Sequence, residues 1–138
     1  MEKTEGPIGR LCDAWNTKNA EAIGVLFAPA AVHEDLTSGV KTHGAAAIRD
    51  LFSQTWQAIP DVEVRVIRVI VQGEWLAWEW TMTATHTGDF PDLPATGRSF
   101  TLAGSSICRL ENGKISNQRD YYDQASFLRQ VGALPERT

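Results

Sequence analysis

The sequence lacks the features that mark membrane and secreted chains. It has no apolar run near the ~20 residues that a membrane helix needs, and its first ten residues lack the apolar stretch of a signal peptide. We therefore expect a cytoplasmic protein that does not span a membrane.

Basic residues are also few and scattered. Lys and Arg number 13 against 17 Asp and Glu, which gives a formal net charge of −4. A protein that binds phosphate backbones needs a concentrated basic face, and no Lys/Arg cluster occurs here. Nucleic acid is not an expected partner.

The residues that bind metals or cofactors are scarce. Cys12 and Cys108 form no CxxC pair and no zinc spacing, so we expect two buried, reduced thiols. Four residues could be interpreted as metal ligands, but no HxH or HxxxH spacing supports a metal site. They are His33, Asp35, His43 and His86. A glycine-rich phosphate loop and a GxSxG motif are absent too, and we expect no cofactor.

What the chain does have is the size of one domain and many tryptophans. It has 138 residues, 43% of them hydrophobic, and we expect a single domain over residues 1–138. Three of its five tryptophans fall within residues 75–80. We therefore expect a large aromatic-walled interior or pocket.

The first 60 residues predict three helices. Apolar residues at helical spacing predict a helix over 5–17, and a second short helix follows the N-cap Asn19 and ends by Pro29. A short strand at 31–36 and a turn at Ser38-Gly39 precede a third helix over 45–57.

The remainder predicts long strands. Residues 62–72, 75–87, 98–110 and 114–122 have β-rich or alternating patterns, and Asn112-Gly113 suits a tight hairpin turn. Helices followed by antiparallel strands indicate an α+β domain. We expect a strongly curved, mixed or antiparallel sheet that forms a cone closed by the N-terminal helices.

The last strand carries polar residues on both faces, so it either forms an exposed edge or lines a polar cavity. Asp123 precedes a helical pattern and is predicted to be its N-cap. Asp120 lies in mid-strand, where burial would raise its pKa and suit it to proton transfer. Its alternative role is a plain salt bridge, with Arg119 or Arg109 as a partner. His86 ends an apolar stripe and could be either a packing residue or a functional one.

Eight short motifs follow one another over residues 11–135. They are AWNT at 14–17, FAP at 27–29, HG at 43–44, HTG at 86–88, PATGRSF at 94–100, ENGKI at 111–115, QRDYYD at 118–123 and LRQVG at 128–132. In this order and spacing the chain resembles the SnoaL-like polyketide cyclases, within the nuclear-transport-factor-like superfamily.

The resemblance implies a deep apolar pocket, a homo-oligomer and an intramolecular aldol condensation on a polycyclic aromatic polyketide, without metal or cofactor. It implies that Asp120 is the catalytic acid/base and His86 a pocket histidine. We predict both as catalytic residues, with Asp120 itself or His86 as the donor that returns a proton to the new alkoxide. Two positions differ from the best-studied cyclases, which have histidine where this chain has Ser106 and asparagine where it has His33. The predicted substrate-binding residues are Trp15, His33, Trp56, Trp78, Trp80, Ser106, Gln118 and Tyr122.

Other functions stay open at this point. The same family includes cofactor-independent hydroxylases, and the fold also serves as a non-catalytic ligand-binding or dimerisation module. The RDYYD run also resembles limonene-epoxide hydrolases, but those need an Arg and a second Asp where this chain has Ala84-Thr85-His86. Epoxide hydrolysis is therefore disfavoured.

Overall fold

The computed structural model describes residues 6–135, which form four helices and six strands. The helices are α1 (Gly6–Thr17), α2 (Ala20–Leu26), α3 (Ala45–Ala58) and α4 (Gln124–Gln130). The strands are β1 (Phe27–Asp35), β2 (Val40–His43), β3 (Glu63–Gln72), β4 (Trp75–Thr85), β5 (Ser99–Glu111) and β6 (Lys114–Tyr122).

The six strands form one curved, mixed sheet in the order β2-β1-β6-β5-β4-β3. β1 and β6 run parallel, and the other neighbours are antiparallel. The predicted α+β class with a strongly curved sheet is confirmed. The pairing brings β1, from the first third of the chain, beside β6, from its last part.

The helices begin where the sequence predicts them. The Asn19 side chain accepts a hydrogen bond from Ala22 N at 3.1 Å, and the Asp123 side chain accepts one from Ser126 N, also at 3.1 Å. Each thus satisfies a free N–H of a first helical turn. This confirms Asp123 as an N-cap and leaves Asp120 as the strand carboxylate.

The region around Pro29 differs from the prediction. β1 begins at Phe27 rather than at residue 31, and Pro29 lies within it. A register shift between Phe27 and Val32 removes the regular ladder there, so the missing N–H of proline costs no pairing. β2 was not predicted, because its four residues are mostly exposed and have no apolar alternation.

The core lies between the helices and the inner face of the sheet. Ile8 and Leu11 of α1 and Ile48 and Phe52 of α3 are buried with the inward residues of β4 to β6. Within residues 6–135, no helix is long and apolar enough to cross a membrane.

Candidate functional site

A deep cavity of about 730 Å³ opens between α1, α3 and the inner face of the sheet. α1 contributes Trp15, and α3 contributes Phe52. The segment 90–93 and α4 complete the wall on the other side. A cavity of this size falls in the range that holds a drug-sized ligand, and its wall is mostly apolar.

Asp120 reaches this cavity because β6 contains a bulge. Arg109 pairs with Asn117, but the next residue of β5, Leu110, pairs with Ile115, so Ser116 is an extra residue on β6. The bulge reverses the alternation of β6. Ile115, before the bulge, is buried, whereas after the bulge the even-numbered residues Gln118, Asp120 and Tyr122 line the cavity. It explains why neither face of β6 is apolar in the sequence.

Three side chains donate hydrogen bonds to the Asp120 carboxylate. His33 Nε2 lies 2.8 Å from Oδ2, while Ser106 Oγ and Gln118 Nε2 lie 2.6 and 2.9 Å from Oδ1. The Asp120 side chain is 19% exposed and that of His33 only 4%. The carboxylate is therefore held by three donors yet keeps access to the cavity.

These contacts set the charge of Asp120. Burial raises the pKa of this carboxyl. The hydrogen bond and charge of His33 lower it, as do the hydrogen bonds from Ser106 and Gln118. Together these contacts outweigh burial, so the pKa of Asp120 lies below its ordinary value of 3.8. The expectation that burial would raise its pKa is thus wrong in its net direction. Asp120 is ionised at neutral pH.

Trp80 extends the network by one further bond. Its Nε1 donates to Ser106 Oγ at 3.0 Å. Because an indole N–H can only donate, Ser106 must accept from Trp80 and direct its own hydrogen to Asp120. Trp80 lies over Gly104, where an added Cβ would overlap the indole ring.

Of the ten predicted site residues, eight line the cavity. They are Trp15, His33, Trp78, Trp80, Ser106, Gln118, Asp120 and Tyr122. They come from α1 and from four strands, so the fold brings together positions that are up to 107 residues apart (Trp15 to Tyr122).

The other two predicted residues lie behind the wall. His86 is fully buried, stacks on Phe90 at 5.1 Å and contacts Thr96 Oγ1 through Nδ1 at 3.1 Å. Trp56 packs edge-on against Trp15. Neither lines the cavity, so the geometry gives them support roles under Phe90 and Trp15.

Sequence reasoning missed part of the wall. Residues 89–97 contain two prolines and a glycine, which indicate a loop but no functional role, yet Phe90 and Leu93 of this segment line the cavity. Their backbones bond to each other in both directions at 3.0 and 3.1 Å, which makes a compact turn. Two large apolar residues in an otherwise polar loop could have indicated this role.

A second carboxylate of the wall, Asp35, accepts from Tyr122 OH at 2.7 Å and from the backbone of Thr37 and Ser38. Burial and this acidic partner raise the pKa of Tyr122. The phenol is therefore a neutral donor.

The alternative partners of Asp120 are engaged elsewhere. Arg119 pairs with Glu34 at 3.5 Å, and Arg109 pairs with Glu111 at 3.1 Å. Cys12 and Cys108 are free and buried, as predicted, and burial raises the pKa of each to about 12. Among residues 6–135, no group of His, Cys, Asp or Glu is arranged to hold a metal ion.

The family model of the SnoaL-like polyketide cyclases matches residues 8–131. The chain belongs to this family. It is therefore an enzyme of the polyketide cyclase class.

Curated relatives agree with the family. The chain is 27% identical over 137 residues to aklanonic acid methyl ester cyclase DauD of Streptomyces sp. (strain C5), covering 91% of this chain and 79% of the relative. It is 26% identical over 106 residues to the nogalonic acid methyl ester cyclase of Streptomyces nogalater, covering 75% of each.

Solved structures agree with the fold. A protein of ketosteroid isomerase-like fold from Catenulispora acidiphila superposes on this SnoaL-like chain with a TM-score of 0.83 at 24% identity. The match covers 96% of this chain and 95% of that one.

Proposed function

We propose that this cyclase closes a ring of a polycyclic aromatic polyketide by an intramolecular aldol reaction, with Asp120 as the general acid/base. The observation that carries the proposal is an ionised carboxylate, held by three donors, at the wall of an apolar cavity. The curated relatives are cyclases of aklanonic and nogalonic acid methyl esters, which supports a related ester as the substrate.

The shape and lining of the cavity support a flat aromatic substrate. Trp15, Trp78 and Trp80 all contribute to its wall. Aromatic side chains stack with fused rings and exclude water from them. The volume of about 730 Å³ accommodates several fused rings with a side chain.

Asp120 removes a proton from a carbon that lies between two carbonyl groups of the substrate. The electron pair of that C–H bond forms a new C–C bond to a ketone or aldehyde carbon of the same molecule. The carbonyl oxygen becomes an alkoxide, and Asp120 returns the proton to it. No atom is gained or lost, so the product is an isomer of the substrate.

The lowered pKa of Asp120 restricts this reaction to acidic carbon atoms, since a weak base removes only weakly held protons. A carbon flanked by carbonyls meets that condition because its carbanion is delocalised. Holding the side chain of the substrate close to its target supplies a further rate advantage. His86 does not line the cavity, which supports Asp120 itself as the proton donor to the alkoxide.

The experiment is incubation of the protein with the methyl ester of an anthraquinone bearing a β-dicarbonyl side chain, followed by mass spectrometry and oxygen measurement. We expect a new product of unchanged mass and no oxygen consumption. A product that contains added oxygen, formed as dioxygen disappears, would assign the alternative hydroxylase reaction instead. Binding without any product would contradict the proposed aldol reaction.

We also propose that the protein self-associates through the outer strands of its sheet. Ile67, Ile70 and Val71 of β3 are more than half exposed, and Trp75 of β4 is 48% exposed. β3 is an edge strand, and apolar side chains on a free edge favour association. Sedimentation should show an oligomer that Ile70→Lys weakens, and a monomer at all concentrations would contradict this.

A further inference from the structure

We propose that His33 is the positioning residue of the base: its Nε2–H donates to the Asp120 carboxylate and holds it in place at the cavity wall. This inference rests on the proposed function of Asp120 and deepens it. The sequence predicted His33 as a substrate contact and His86 as the functional histidine, whereas the structure joins His33 directly to Asp120.

The contact crosses the parallel pair of β1 and β6. His33 is paired with Gln118 and Asp35 with Asp120, so His33 reaches diagonally to the carboxylate at 2.8 Å. This link exists only because two strands from opposite ends of the chain are neighbours.

The His33 ring is held in one position. It is buried and packs edge-on against Phe52, with centroids 5.2 Å apart and planes at 86°. Within residues 6–135, its Nδ1 has no hydrogen-bond partner, so the bond to Asp120 is the polar contact that orients the ring. Loss of this bond would leave both nitrogens of a buried ring without a partner, so the bond to Asp120 and the packing on Phe52 together fix the ring.

His33 also differs chemically from the other two donors. Ser106 and Gln118 donate to Asp120 but do not ionise near neutral pH. An imidazole can carry a positive charge, whereas a hydroxyl and an amide cannot. Of the three donors, His33 is therefore the one whose charge, besides its hydrogen bond, lowers the pKa of Asp120.

The remaining titratable groups near Asp120 cannot take this role. Those groups are carboxyls, a phenol and thiols, none of which can bear a positive charge. They are Asp35 of β1, Tyr122 of β6, Cys108 of β5, Cys12 of α1 and Asp92 of the 90–93 segment. No lysine or arginine belongs to the part of the cavity wall that the structure describes. His33 is the group of that wall able to carry a positive charge.

The test compares His33→Gln, which keeps an amide donor but cannot ionise, with His33→Leu, which removes the donor. The acid limb of the pH profile of kcat/KM reports the pKa of Asp120 in the free enzyme. It should move to higher pH by about one unit in His33→Gln and further in His33→Leu, because an opposite charge within ~4–6 Å lowers a carboxyl pKa by about 1–3. KM should change little, and His86→Asn should leave the limb in place. An acid limb unchanged in both His33 variants would overturn the proposal.

A second readout does not depend on turnover. Carbon-13 NMR of protein labelled at the aspartate carboxyl carbons, with Asp120 assigned from Asp120→Asn, follows its titration directly. Asp120 should titrate at higher pH in His33→Gln than in the unmodified protein. Equal titration curves would refute the role of His33, whereas failure to form any cyclised product with the displaced titration intact would refute only the proposed reaction.

Discussion

Trp80 lies against the bare backbone of Gly104 on the neighbouring strand, and this contact directs its indole N–H to Ser106. The two residues are directly paired in the register of β4 and β5. A residue without Cβ lets the ring lie along β5 and reach Ser106, two positions further. A small residue thus begins the chain of contacts that ends at Asp120.

Gly104→Ala should disrupt this arrangement. The added methyl group would overlap the Trp80 ring, and overpacking of this kind costs about 1–3 kcal/mol. We expect a lower free energy of unfolding by urea denaturation, together with reduced turnover. Gly24→Ala is the control. Gly24 lies in α2, and a Cβ there would meet only Arg49 Cδ at 3.8 Å, so this substitution should be neutral or stabilising. Equal effects of the two substitutions would contradict the role of Gly104.

Ser106→Ala should leave Trp80 Nε1 without its acceptor and Asp120 with one donor fewer. Burying an unsatisfied donor costs about 1–3 kcal/mol, which urea unfolding would detect. Ser105→Ala, the same change at the adjacent and less buried position, should alter stability by less than about 0.5 kcal/mol. A Ser106→Ala protein as stable as Ser105→Ala would show that the network contributes little.

The stability of the protein should depend on pH through Asp120. Because its pKa is lower in the folded state than the ordinary 3.8, the unfolded chain binds the proton first. Its stabilising contribution is complete above the unfolded pKa and is lost as pH falls through the folded pKa. Urea unfolding from pH 7 down to pH 2.5 should therefore show a steeper loss for the unmodified protein than for Asp120→Asn. Parallel curves would contradict the lowered pKa.

His86→Asn tests whether the predicted pocket histidine takes part in the reaction. The amide keeps a polar group near Thr96 but loses the ring that stacks on Phe90, so stability should fall by about 1–3 kcal/mol. Turnover by the folded protein should stay within about threefold of that of the unmodified protein, because His86 does not line the cavity. Loss of an acid/base group would instead lower turnover at least about 100-fold. A loss of that size in folded His86→Asn would show that His86 takes part in the reaction.

Much of the fold follows from local patterns. The helical spacing of Ile8, Leu11 and Trp15, the caps at Asn19 and Asp123, and the alternation of β4 all appear in the structure as predicted. These features depend on neighbours a few residues apart. A single sequence displays such neighbours directly.

The rest depends on pairing between distant segments. β2 has no pattern of its own and exists because it pairs with β1. The partnership of His33 with Asp120 requires β1 to lie beside β6, and no spacing in the sequence specifies that. His86 has an inward position in the alternation, but Phe90, from a loop, separates it from the cavity.

The most direct test is the rate of cyclisation by Asp120→Asn, compared with Asp92→Asn in the same cavity wall. Asp92 has φ of 62°, a conformation that asparagine adopts readily, so this control removes one charge without strain. We predict that folded Asp120→Asn loses about 10²–10⁴-fold in kcat while Asp92→Asn stays close to the unmodified protein. Equal turnover by the two variants would contradict the assignment of Asp120 as the base.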